Sequence, residues 1–149
     1  MLNKIFLFII IIGLTSCGYN PIYSKTSGVD LMIKNFELQG DKNINRKIVA
    51  FLNQKNRSRE SKYNLKLISR KIITVVAKDK MGNASIYKTA INVSLVVSDG
   101  NIKIKEKKFD SNFTYNNKTN KFNLSQYQKN IADNLIDNIS EEILIFLSS

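Results

Sequence analysis

The sequence predicts an α+β fold: a mixed four-stranded sheet with two helices packed on one face. Three observations carry that prediction. In "ASIYKTAINVSLVVS", residues 84–98, the side chains Tyr87, Thr89, Ile91, Val93, Leu95 and Val97 share one face, and Lys88, Ala90, Asn92, Ser94 and Ser98 lie on the other. This is the period of a half-buried strand. Near the C-terminus Ile131, Leu135, Ile139, Ile143 and Leu147 recur every four residues, the stripe of an amphipathic helix. Between residues 31 and 115 the pattern runs strand, helix, then three long β-rich segments. A helical crossover makes the first two strands parallel, and a meander makes the rest antiparallel.

The elements follow in chain order. Lys4 and the apolar run 5–12, with Gly13 and Leu14, form the n- and h-regions of a secretory signal. The run stops at about half of the ~20 apolar residues that a membrane-spanning helix needs. Leu14-Thr15-Ser16-Cys17 matches the bacterial lipobox, in which small residues fit the signal peptidase and the thiol takes a diacylglyceryl group before cleavage on its amino side. Residues 1–16 are therefore expected to be a lipoprotein signal peptide, and residues 17–30 a lipidated, turn-rich tether holding Pro21, Ser24, Thr26, Ser27 and Gly28. A diacylglycerol and an N-acyl chain on Cys17 are the only attached groups expected, with no separate cofactor; several acyl chains, at about 0.8 kcal/mol per buried methylene, make the anchor effectively permanent. Residues 31–149 are expected to form a single domain.

"LMIKNFEL" opens it as a short strand with Leu31, Ile33, Phe36 and Leu38. Gly40 and Asp41 end that strand, and Asp41 or Asn43 caps a helix over 43–54 with Ile44, Ile48, Phe51 and Leu52 on its inner face. "KNRSRESK" reads as a solvated loop. Strands are predicted over 63–77, 84–98 and 101–115. Gly82 supplies a positive φ in the loop 78–83, and Asp99-Gly100 a type I′ hairpin turn. In the last strand the apolar parity moves from Ile102 and Ile104 to Phe109, Phe113 and Tyr115, which predicts a β-bulge near Lys107 or Lys108. A helix over 124–147, capped by Ser125, closes the fold. The sandwich is tall for so small a domain.

Composition narrows the chemistry. The one cysteine is the lipid handle, so no disulfide contributes and apolar packing must carry stability. Histidine is absent, which removes the commonest general base and metal ligand and every Ser-His or Cys-His pair. Carboxylates are sparse and scattered, with no paired arrangement for glycoside hydrolysis or a metal cluster. The chain is not expected to be an enzyme. Its formal charge of +11 points to anionic partners, or reflects a composition rich in lysine, asparagine and isoleucine. A secreted, membrane-tethered protein without a nucleic-acid-binding motif is not expected to meet DNA or RNA. Phosphorylated glycolipid is the more available polyanion. Gly18, rather than aspartate, follows the lipidated cysteine, which favours the periplasmic face of the outer membrane.

The stretch "CGYNPIY", residues 17–23, resembles the Cys-Gly-aromatic-x-Pro-Leu-Tyr start of the LPS-assembly lipoprotein LptE family, with Ile22 in place of the usual leucine. The closing "LSQYQKNIADNLIDNISEEILIFL" looks like that family's final helix, and the element order agrees. The bland alternative for Pro21 and Tyr23 is an ordinary tether turn. The resemblance implies a non-enzymatic partner that plugs an LptD-like outer-membrane β-barrel and assists the assembly and delivery of lipopolysaccharide. Charge and placement, not the resemblance, single out lipopolysaccharide-binding candidates: Lys103, Lys105 and Lys107 on one strand face, with Lys78 and Lys80 in the loop above. Each serves equally well as an edge lysine that prevents sheet-to-sheet aggregation. The competing reading is a freestanding periplasmic lipoprotein whose basic face takes an anionic glycolipid without any barrel.

Overall fold

The computed structural model describes residues 28–149. The expected signal peptide 1–16, the expected lipid-attachment residue Cys17, the motif at 17–23 and residues 17–27 of the expected tether lie outside the described residues. The elements are β1 (Ile33–Gly40), α1 (Lys42–Lys55), β2 (Tyr63–Lys78), β3 (Ala84–Asp99), β4 (Ile102–Asn116) and α2 (Lys121–Ser148). They form one four-stranded sheet in the order β1-β2-β3-β4. β1 runs parallel to β2, and the other neighbours are antiparallel. Both helices lie on one face, α1 against β1 and β2, α2 against β3 and β4. This is the predicted α+β architecture, a mixed sheet covered on one side.

The core forms where the two apolar periodicities meet. Ile44, Ile48 and Leu52 of α1 close over Leu65 and Leu67 of β2, while Ile136, Ile139 and Ile143 of α2 close over Ile91, Val93 and Leu95 of β3 and Phe109 of β4. Each such side chain, fully withdrawn from water, stabilises the fold by about 1.5–3 kcal/mol before entropy is counted. Thr89 is the polar member of the inward face of β3; it is fully buried and shares a hydrogen bond of 3.0 Å with the Tyr115 hydroxyl. Its polar atom is thereby satisfied. The helices are joined across their seam by an ion pair between Lys47 and Asp133.

Local chemistry sets the element ends. Asp41 caps α1: its Oδ1 accepts from the backbone N–H of Asn43 at 2.9 Å and Ile44 at 3.2 Å. Gly40, at φ +88, makes the preceding turn possible. A Cβ there would stand 1.9 Å from the Ser69 carbonyl oxygen, which accepts from the Asp41 N–H at 3.1 Å. The chain leaves the sheet at this point, and β1 ends opposite Ser69.

Four expectations need correction. Leu31 is buried but precedes β1; Met32, at φ +47, redirects the chain before the strand begins at Ile33. α2 starts at Lys121, and Asn120, not Ser125, caps it by accepting from the N–H of Phe122 and Asn123. The stripe reveals only the buried face of a helix, and the first turn, which carries the exposed Phe122, has none. The hairpin between β3 and β4 turns on Gly100-Asn101, because Asp99 pairs with Ile102. Gly100 has φ +56 and no positive φ occurs at Asp99 or Asn101, the sign pattern of a type II′ turn rather than I′. The bulge in β4 lies at Ile104, not near Lys107 or Lys108: Val97 pairs with Lys105, and Ser98 with Lys103.

The layers differ in reach. β2 and β3 have 16 residues each, about 50 Å at strand rise. α1, with 14 residues, covers only about 21 Å.

Candidate functional site

The candidate lysines divide once the bulge is placed. Lys105 pairs with Val97 and Lys107 with Leu95, both inward positions of β3, so these two lysines lie on the helix side of the sheet. The Lys105 amine donates to the Phe146 carbonyl at 2.7 Å and sits 4.7 Å from the centre of the Phe146 ring. Lys107 stands 5.0 Å from the Phe109 ring and 5.7 Å from that of Phe146. Their charge therefore meets the carbonyl end of α2 and two aromatic faces, which attract a cation. Lys103, displaced by the bulge, falls on the opposite face and pairs with Glu106 at 2.9 Å. That hydrogen bond and the lysine charge hold the Glu106 carboxyl below its ordinary value. Lys103, Lys105 and Lys107 do not share a face.

Nor do Lys78 and Lys80 lie above them. Lys78 pairs with Ala84 and Lys103 with Ser98, at opposite ends of β3 and about 45 Å apart. Lys80 is exposed in the loop between β2 and β3, which Asp79 organises by accepting from the N–H of Met81 at 2.8 Å and Asn83 at 2.9 Å. Chiefly the Asn83 N–H holds the Asp79 carboxyl below its usual value. Gly82, with φ +84, takes the left-handed position expected of it.

The uncovered sheet face brings together a different set of cations. Arg70 of β2 pairs with Asn92 of β3, which pairs with Asp110 of β4; Lys88 pairs with Thr74 and Thr114, and Lys108 with Ser94. The small side chains Ala90 and Ser94 leave a shallow groove of about 670 Å³ between walls that include Ile68, Arg70, Lys108 and Asn112. Arg70, Lys88 and Lys108 form no ion pair among the described residues, whereas Lys66, further down the same face, pairs with Glu37 at 2.6 Å. Three cations and one carboxylate, Asp110, around a concave floor can receive an anionic or hydroxyl-rich ligand or a hydrated wall. The parity of β3 identifies Lys88. Arg70 and Lys108 escape notice because their faces depend on cross-strand register, which a bulge alters. Among the described residues no cluster of carboxylates is arranged to hold a metal ion, and no helix is long and apolar enough to cross a membrane.

This architecture is found in solved bacterial lipoproteins. The rare lipoprotein B from Shewanella oneidensis superposes with a TM-score of 0.61 at 15% identity, over 76% of this chain and 93% of its own. The minor lipoprotein from Acinetobacter baumannii gives 0.61 at 15%, over 80% and 92%. The solution structure of an uncharacterized lipoprotein B from Nitrosomonas europaea gives 0.60 at 9%, over 84% and 87%. The chain has the rare lipoprotein B fold. That fold fits the LptE-family resemblance carried by residues 17–23 and the closing helix. The match extends over 87–93% of each neighbour and 76–84% of this chain, so it is not confined to one shared motif. No protein-family model matches the sequence, and no curated protein matches it.

Proposed function

We propose that this chain is an LptE-like lipoprotein of the outer membrane. Acyl chains on Cys17 hold it at the periplasmic face, where it plugs an LptD-like β-barrel and assists delivery of lipopolysaccharide, without enzymatic chemistry. The observation that carries the reading is the fold match over about nine-tenths of three lipoproteins, joined to a lipobox and an LptE-like opening in the same sequence. The molecule's form supports it. A sheet about 50 Å tall, covered on one face and polar on the other, suits a hydrated barrel lumen, whose wall is lined by polar side chains. Exposed Lys78, Lys80, Arg70 and Lys108 and half-buried Lys88 are available to phosphates of lipopolysaccharide; Lys105 is engaged by the end of α2, and Lys107 lies over the Phe109 and Phe146 rings.

The test is affinity purification of the lipidated protein from detergent-solubilised outer membranes, with a high-salt wash to screen nonspecific attraction to anionic lipid. Mass spectrometry of the retained material is expected to find a large outer-membrane barrel in stoichiometric amount. Recovery of the lipoprotein alone rejects the plug. The groove favours one second reading, a freestanding lipoprotein that takes an anionic glycolipid. It requires a stable monomer in detergent that binds purified lipopolysaccharide and loses affinity on Arg70→Ala with Lys108→Ala.

A further inference from the structure

We propose that the outer edge of β2 over residues 70–78 accepts an extended segment of a partner protein as a fifth strand, apolar in its middle and acidic at its ends. β1 accompanies β2 only as far as Ser69, where the turn at Gly40 takes the chain out of the sheet. From Arg70 onward β2 pairs with β3 alone, and no described residue forms a backbone hydrogen bond to its outer side. Alternate N–H and C=O groups there are open templates for another strand.

The side chains favour such pairing. Ile72, Ile73, Thr74, Val75 and Val76 are consecutive β-branched residues, and their aliphatic members are 37%, 42%, 47% and 55% exposed in chain order. No proline or charge interrupts them. A bulge lies at Val76, but residues 70–75 stay in unbroken register with β3 and present a regular edge. Strand addition of this kind draws affinity from main-chain hydrogen bonds and specificity from side chains.

Charge selects the occupant. Arg70 and Lys71 flank the apolar stretch on one side, and Lys78 and Lys80 on the other; none makes an ion pair among the described residues. A second copy pairing antiparallel about Thr74 would set Arg70 opposite Lys78, and a parallel copy would set each cation beside itself. Like charges directly opposed destabilise a ladder. The same cations therefore keep the edge from pairing with itself and attract a strand ending in carboxylates. The inference rests on the sheet edge alone, whether or not that partner is the barrel proposed above.

The experiment uses the full lipidated chain in detergent and two synthetic peptides, a Val-Thr-Val-Thr-Val core flanked by paired glutamates and the same core flanked by paired lysines. Hydrogen exchange is followed amide by amide. Without peptide, every second amide over residues 71–75 is expected to exchange fast. At saturating glutamate-flanked peptide these amides slow by roughly ten-fold or more, and the lysine-flanked peptide binds at least about ten-fold more weakly. Lys71→Glu with Lys78→Glu, which leaves one cation and one carboxylate at each end, removes that preference. Absence of slowing, slow exchange before peptide is added, or equal binding of the two peptides overturns the proposal.

Discussion

The two halves of β2 have similar residues and opposite surroundings. In residues 63–69, Leu65 and Leu67 are 1% and 0% exposed beneath α1, and β1 seals the edge. In residues 70–78, four isoleucines and valines are 37–55% exposed beside an edge that no described residue pairs. A strand's sequence sets its own conformation, but its burial depends on how far the neighbouring elements extend. Here an 8-residue strand and a 14-residue helix are laid against a 16-residue strand, and the remainder stays bare. β3 and β4 show the contrary case, because the 28-residue α2 runs about 42 Å, enough to cover most of their length.

Substitutions along β2 put that contrast to measurement. Leu67→Ala, in the covered half, is expected to lower unfolding stability by about 2–5 kcal/mol through lost transfer and a cavity. Val75→Ala, in the bare half, should cost less than about 1 kcal/mol in the same urea titration. Equal losses would mean that the two halves are equally packed. Gly40→Ala tests what ends the cover. With φ +88 and a Cβ 1.9 Å from the Ser69 oxygen, it should cost more than about 1 kcal/mol and speed exchange of the Asp41 amide.

Smaller effects distinguish the two faces of β4. Lys105→Met removes a bond to the last turn of α2 and a contact with the Phe146 ring, and should cost about 1 kcal/mol. Lys103→Met, breaking an exposed pair, should fall within about 0.5 kcal/mol of no change. Acid titration gives the smallest signal. Asp79 and Glu106 both have carboxyls lowered from reference values of 3.8 and 4.5, so their stabilisation is complete above those values and drains as the pH falls through the folded values. The urea midpoint should decline below about pH 4, and Asp79→Asn with Glu106→Gln should lessen that decline.

Much of this was readable from the residues. The period of β3 named its buried face, the stripe at Ile131, Leu135, Ile139 and Ile143 named that of α2, and the order of elements implied a parallel first pair. These readings hold because each depends on a local period that the core enforces. The cation surface was not readable in the same way. Lys103, Lys105 and Lys107 alternate in sequence, yet one inserted residue at Ile104 sends Lys103 to the other face. The turn type failed for a related reason: which residues occupy the corner is decided by pairing across the hairpin, and Asp99 is held in the ladder by Ile102. Arg70, Lys88 and Lys108 become neighbours only when three strands are in register.

The bulge at Ile104 also determines where this strand can change length. A residue gained or lost between 105 and 109 would invert Phe109 and Tyr115 and empty the core beneath α2. On the hairpin side of Ile104 the register has already slipped by one, so insertions and deletions there are absorbed before they reach the buried positions. The tip formed by Gly100 and Asn101 is thus the part of the sheet that can vary between relatives, or carry an engineered tag or cross-linking residue, while the layer beneath keeps its register.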